Sequence, residues 1–200
     1  MKTLFVEAEG LPDIAGARDA FALGSELADK DVAKVLFHRE LQPDRRFLPP
    51  QLRRLAVLVV LTLEDDSLHV TSWDLGRQDE AGILEQLHRL MDRPGTRALA
   101  WDDGRDMGAW LRIRTLVNRG RFAGTPLEDL EAALGARQPV SRPALCARLG
   151  IGATPLLDDA ANWDTYSRDG MDPLVERCRR NVCASASLWV RWQGVLGRMT

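Results

Sequence analysis

The sequence predicts an α/β protein of three layers built on a mixed central sheet. Three observations carry this. Residues 53–64, RRLAVLVVLTLE, form a continuous apolar and β-branched run that needs cover on both faces, which places a strand at the centre of a sheet. Residues 67–75, SLHVTSWDL, alternate directly after the turn Glu64-Asp65-Asp66-Ser67, which makes a hairpin and an antiparallel pair. Beyond residue 79 helical and strand patterns alternate, the signature of helices laid on a sheet.

The elements follow in order. KTLFVEAE, residues 2–9, opens the domain as a strand with Phe5 and Val6 in the core and two acids at its C-terminal end. Residues 14–36 are Ala-rich and helical in part, and QPDRRFLPPQ, residues 42–51, is a loop by its prolines. The strong strand and its hairpin partner come next. Ile83, Leu84, Leu87, Leu90 and Met91 stripe a helix over 79–93, stopped by Pro94-Gly95. TRALAWD, residues 96–102, is a short strand that enters an acidic loop, and Trp110, Leu111, Ile113 and Val117 continue as a helix closed near Gly120. Residues 126–134 read as a helix or a strand–helix junction, and 143–150 as a short helix capped by Gly150. Residues 151–171 read as loop-rich. Leu174, Cys178, Val182, Ser185, Trp189, Trp192 and Leu196 recur at three- and four-residue steps in a long final helix over 172–196.

Composition narrows the classes. The chain of 200 residues is 45% apolar and 28% charged, which excludes wholesale disorder and suits one domain over residues 1–200. A net charge of −2 excludes a uniformly basic nucleic-acid coat and leaves local basic patches open. Cys146, Cys178 and Cys183 form no CxxC pair, so neither a disulfide framework nor a zinc knuckle is indicated. The first apolar run, Leu4-Phe5-Val6, is broken by Glu7 and Glu9, and the longest, Leu55–Leu63, is far below a membrane span. The expectation is a cytoplasmic chain without a membrane partner. No nucleophile elbow, dinucleotide fingerprint or Walker loop occurs, and His38, His69 and His88 lie on separate elements.

Three segments, in order and spacing, resemble one family. LFVEAEGLPD (4–13) looks like the opening F-D-x-E-T-x-P-D of the 3′–5′ exonucleases similar to the proofreading domain of family-B DNA polymerases. AWDDGRDMGAWL (100–111) stands where that family has F-N-G-x-x-F-D-x-P-x-L, and RCRRNVCASASLW (177–189) stands in place of Y-C-x-x-D-V-x-x-T-Y. FLPPQLRRLAVLVVL and PALCARLGI resemble secondary markers of the family. The resemblance covers nearly the whole chain. It implies a ribonuclease H-like fold of the DEDD superfamily, in which four acids hold two divalent cations that stabilise the attacking and leaving oxygens of a phosphoryl displacement.

By this resemblance Glu7 and Glu9 are the first two metal ligands. Residues two apart on a strand share a face, so the pair can sit over one metal site. The remaining positions have drifted. A gapless reading places Met107 at the third acid, with Asp106 one residue earlier, a rotation of about 100° on a helix. Arg177 and Asn181 stand where the family has Tyr and Asp; Arg stays protonated at neutral pH, and an amide oxygen binds a dication more weakly than a carboxylate. Arg177, Arg179 and Arg180 place positive charge near Glu7 and Glu9 and could neutralise them.

The expectation is therefore a degenerate exonuclease, with Glu7, Glu9, Asp106 and Asn181 as the altered catalytic positions and Glu7 and Glu9 the ligands of any metal. No resident cofactor is expected; Mg²⁺ or Mn²⁺ is, if the site is active. The cleft would bind single-stranded nucleic acid or a protein partner, with Arg105, Arg112, Arg177, Arg180 and Trp101 contacting nucleic acid, and Arg114, Arg119 and Arg121 extending the basic stretch. Two alternatives stand beside it. One is a slow Mn²⁺-dependent exonuclease on single-stranded DNA, using Glu7, Glu9 and Asp106 or Asp103, with Asp169 or Asp172 as further candidates. The other is an oligomeric interaction protein that pairs through the Trp-bearing last helix.

Overall fold

The computed structural model describes residues 2–41, 45–65, 67–102, 104–122, 124–136 and 140–197. Its strands are β1 (Lys2–Pro12), β2 (Arg53–Glu64), β3 (Ser67–Asp74), β4 (Thr96–Ala100) and β5 (Leu127–Asp129). Its helices are α1 (Ile14–Phe21), α2 (Asp29–Glu40), α3 (Glu80–Met91), α4 (Met107–Val117), α5 (Leu130–Ala133), α6 (Arg142–Arg148), α7 (Asp159–Asp169) and α8 (Asp172–Val195).

The strands form one sheet in the order β3-β2-β1-β4-β5. β1 pairs antiparallel with β2, which pairs antiparallel with β3; β4 runs parallel to both β1 and β5. The result is a mixed sheet in a three-layer α/β fold, consistent with the ribonuclease H-like arrangement. The whole of β1 is buried, which a strand flanked on both sides and covered on both faces must be.

Alternation along β1 sorts its side chains between two cores. Leu4, Val6 and Ala8 join Leu58 and Val60 under α3 and α4, with Trp110 and Leu111. Phe5 and Leu11 join Val57 and Val59 under α8, with Cys178, Val182 and Trp189. Glu7 and Glu9 share the parity of Phe5 and Leu11 and lie on the α8 face. The pairing of β1 with β2 shifts register between Glu9 and Gly10, a bulge beside the two acids. A third small core gathers Ala17, Val32, Leu36, Leu48 and Leu52 under α1 and α2.

Some boundaries differ from the sequence expectation. The helical region over 14–36 is two helices, parted after Ala22, whose φ of 51° ends α1 in the left-handed region. α4 starts at Met107, ahead of Trp110. Residues 126–134 are a strand–helix junction, β5 followed by α5. The segment over 151–171, expected to be loop-rich, contains α7 over more than half of its length. Its sequence DAANWDTYSRD has no clear apolar stripe; it is started by Asp158, whose side chain accepts from the Ala161 N–H at 2.8 Å, and by tertiary bonds described below. No helix among the described residues is long and apolar enough to cross a membrane.

Candidate functional site

The two acids of β1 are fully buried, with 0% exposure each. Burying an ionised carboxylate is costly unless hydrogen-bonded cations surround it, so their partners define the site.

Arginines supply those partners. Arg142, the first residue of α6, grips Glu7 through both oxygens: Nη1 donates to Oε2 at 2.6 Å and Nη2 to Oε1 at 3.1 Å. Its Nη1 also reaches Ser185 Oγ on α8 at 3.3 Å. Arg105, from the loop after β4, donates through Nη2 to Glu7 Oε1 at 3.1 Å and to the Trp101 carbonyl at 2.9 Å, and through Nη1 to the Ala8 carbonyl at 2.9 Å. Neither arginine side chain has any exposed surface. Burial alone raises the Glu7 carboxyl pKa; Arg142 and then Arg105 outweigh it, and the group is held below its ordinary value.

Glu9 is held from the other end of the chain. Arg177 of α8 donates through Nε to Oε1 at 3.1 Å, and Asn162 of α7 donates through Nδ2 to Oε2 at 2.8 Å. Arg177 Nη2 in turn donates to Asn162 Oδ1, closing a triangle. Three residues before Asn162 on the same helical face, Asp159 accepts from Arg53 Nε at 2.9 Å and from the Leu48 N–H at 2.7 Å. Burial raises the Asp159 carboxyl to about 6, against the opposing pull of Arg53 and the Leu48 amide. Arg53 stands over the rings of Trp110, at 4.0 Å, and Phe47, at 4.7 Å. Burial lowers its pKa, an effect that Asp159 opposes.

The remaining candidates are placed as follows. Asn181 is buried, and its Oδ1 accepts both the Thr154 N–H at 2.9 Å and the Thr154 hydroxyl at 3.0 Å, so it anchors the strap ahead of α7. Asp106 is exposed and caps α4, accepting from the Ala109 N–H at 3.0 Å, while Met107 is buried in the core under α4. Asp102 Oδ1 accepts from the Met107 N–H at 2.8 Å. Asp169 pairs with Arg168 on the surface, and Asp172 lies in the first turn of α8. Asp103 lies outside the described residues. Cys178, beneath Glu9 and Glu7, is a buried thiol pushed well above its usual pKa, by burial first and then by those two carboxylates.

The residues expected to contact nucleic acid divide sharply. Trp101 is 0% exposed and offers no face to a base; Arg105 is bound to Glu7, and Arg177 is bound to Glu9. Arg114 is also internal, bonded to Glu80 through Nε at 2.7 Å and to Asp13 through Nη1 at 2.9 Å. Arg112, Arg119, Arg121 and Arg180 are exposed, Arg180 pairing with Glu176 one turn away. Arg179 reaches Ser72 Oγ on β3 at 2.8 Å. The expected neutralisation of the acid pair by the arginines of α8 thus falls to Arg177 alone of the three, acting on Glu9.

Arg142, Arg53, Asp159 and Asn162 have no counterpart in the sequence reading. For Asp159 and Asn162 the one local signal is Asp158, a helix-start residue in a segment read as loop-rich. Comparison with protein-family models and with curated proteins returns no match.

Proposed function

We propose that this chain is a degenerate relative of the 3′–5′ exonucleases that works by binding and not by catalysis, its ancestral centre converted into a structural lattice of arginines and carboxylates. One observation carries the reading: all four carboxylate oxygens of Glu7 and Glu9 accept hydrogen bonds from arginine or asparagine.

Two dications do not fit this donor set. A dication within about 4 Å of one guanidinium meets a repulsion of about 8 kcal/mol at an effective dielectric of about 20. Three guanidiniums lie on the two acids, so a metal would have to displace them and strand their charge in the interior. Asn181 adds no carboxylate, and the Asp106 carboxylate is tied to a helix start at the surface. Among the residues expected to bind nucleic acid, Arg112, Arg119, Arg121 and Arg180 are left on the surface while Trp101, Arg105, Arg114 and Arg177 are held inside, which supports a contact area smaller than an exonuclease cleft.

The test is a nuclease assay of the purified chain with Mn²⁺ on labelled single-stranded DNA, beside Glu9→Gln. The expected result is no metal-dependent trimming by either protein. Trimming by the parent chain that Glu9→Gln abolishes would replace this reading with the slow-enzyme one.

A specific feature favours a second reading, association of two copies through the end of α8. Val195 is 77% exposed and Leu196 41% exposed, next to a largely apolar groove of about 890 Å³ lined by Leu134, Leu145, Leu149 and Trp192. Light scattering on the eluting protein tests it; a monomer at tens of micromolar rejects it.

A further inference from the structure

The two edges of the sheet are unlike. β5 is three residues long, Leu127-Glu128-Asp129, and ends in two acids, a short charged edge that discourages a further strand. β3 is eight residues long and pairs with β2 alone among the described residues. From Ser67 to Trp73 it has no Lys, Arg, Asp, Glu, Pro or Gly, and its register runs unbroken from Ser67 opposite Glu64 to Asp74 opposite Val57. Ser67 to Thr71 are all exposed, Leu68 at 60% and Val70 at 46%. A long, uncharged, unbulged edge strand that carries exposed apolar residues is a template for pairing with another strand.

The hairpin fixes which backbone groups are available. Two residues separate Glu64 from Ser67, and Asp65 has the positive φ, 52°, that two-residue hairpin turns favour. Such a turn closes on a pair that exchanges both backbone bonds, and bonded pairs then alternate with unbonded ones. Ser67, His69, Thr71 and Trp73 therefore bond to β2, while Leu68, Val70 and Ser72 turn their N–H and C=O groups outward. Leu68 and Val70 stand opposite Leu63 and Leu61, which pack into the core under α8. On that face a trough of about 610 Å³ runs between the edge and α8, lined by Leu61, Leu68, Ile151, Cys183, Ser187 and Val190.

We propose that β3 is a self-association strand: two copies of the chain pair along it, antiparallel, about a two-fold axis at Val70, and join their sheets into one. The strand is complementary to itself in this register. Val70 meets Val70 of the partner subunit, Leu68 meets Ser72 of the partner subunit, and the outward backbone groups of all three residues gain partners. On the opposite face His69 meets Thr71 of the partner subunit, and no fixed charge faces another. Neighbouring registers fit less well: an axis at Thr71 sets Leu68 against an aspartate, and an axis at His69 sets two imidazoles together. The axis is perpendicular to the sheet, so both α8 helices lie on one side of it. Leu68 and Val70 of the two copies then form one apolar strip between the two troughs. This self-match favours a second copy over an unrelated strand. The surface is separate from the end of α8, and the proposal does not rest on the silent-centre reading, whose residues it does not use.

The test is sedimentation equilibrium of the full chain at tens of micromolar, beside Val70→Lys and Val195→Asp. Both positions are exposed, and circular dichroism establishes that each variant is folded. A dimer is expected, weakened about tenfold or more in Val70→Lys, where two ammonium groups stand opposite across the axis, and unchanged in Val195→Asp. Amide exchange resolved by residue gives a second readout that needs no variant. The Leu68, Val70 and Ser72 amides are expected to be protected at high protein concentration and to lose that protection on dilution, while the His69 and Thr71 amides, already bonded to β2, hold theirs. A monomer throughout, or outward amides that exchange at one rate at every concentration, overturns the proposal. So does a dimer that folded Val70→Lys leaves intact; one that Val195→Asp dissolves in its place belongs to the end of α8.

Discussion

Glu7 and Arg142 lie 135 residues apart in the chain, yet they meet through two hydrogen bonds with no exposed surface on either side chain. The pair joins the central strand to the start of α6, and Arg105 ties the same carboxylate to the loop after β4. Such a pair holds elements in register, and removing one partner is expensive because it leaves the other charge buried alone.

Glu7→Gln is therefore expected to destabilise the fold by about 3–5 kcal/mol in urea unfolding. Replacing the group together, Glu7→Leu with Arg105→Met and Arg142→Met, is expected to recover most of that loss, since apolar residues of similar volume tolerate the same space. If Glu7→Gln costs less than about 1 kcal/mol, the pair behaves like a surface ion pair and the lattice is not structural.

Asp159 gives a pH signature of opposite sign to Glu7. Its carboxyl is raised to about 6 from an ordinary 3.8, so the native state binds a proton more readily than the unfolded chain. The contribution is fully present below about pH 4 and is lost as pH rises through about 6. Stability measured relative to Asp159→Asn should thus be greatest near pH 4 and fall by up to about 3 kcal/mol by pH 7. Glu7, held below its ordinary value, contributes stability that is present above about pH 4.5 and lost on acidification. A difference between the parent and Asp159→Asn that grows with pH would show that Arg53 and the Leu48 amide dominate over burial.

The sheet and most helices were legible because their signals are local. The apolar run of β2, the turn before β3 and the stripes of α3 and α8 each lie within one stretch of chain. The acid pair was legible too, since two carboxylates spaced by two on a strand must share a face. What surrounds that pair was not. Arg142 follows a serine cap and reads as a surface helix residue, and Asp159 and Asn162 lie on a helix whose apolar pattern is too weak to see. Arg105 and Trp101 read as contacts for a ligand because a basic residue and an aromatic beside a cleft loop look alike whether they face in or out. Only the tertiary fold decides which, and here it turns both inward.

Gly10 shows how closely this lattice constrains the backbone. The Arg53 stem passes over it, and a Cβ added there would stand 2.5 Å from Arg53 Nε, a distance that real contacts do not reach. Gly10→Ala must displace the guanidinium from Asp159 or distort the bulge next to Glu9. The expected cost is about 1–3 kcal/mol, as for other overpacked interiors, read as a lowered urea midpoint with an unchanged slope. An alanine variant as stable as the parent would mean that Arg53 has room to move.

Asn181 connects the lattice to the strap that covers it. The strap is fastened at Thr154, whose amide and hydroxyl both donate to Asn181 Oδ1, and at Leu156, whose carbonyl accepts from Arg46. Asn181 Nδ2 has no hydrogen-bond partner among the described residues, so truncating the side chain removes one unmet donor along with two bonds. The two effects oppose each other globally, each being worth about 1–3 kcal/mol, but not locally. Asn181→Ala is expected to leave the urea midpoint nearly unchanged while the Thr154 amide exchanges with deuterium about tenfold faster or more. Asn181→Asp keeps both acceptor bonds and should retain Thr154 protection. If Thr154 is as protected in the alanine variant as in the parent, the strap is held by the burial of Leu156 and the Arg46 bond alone, and Asn181 has no part in fastening it.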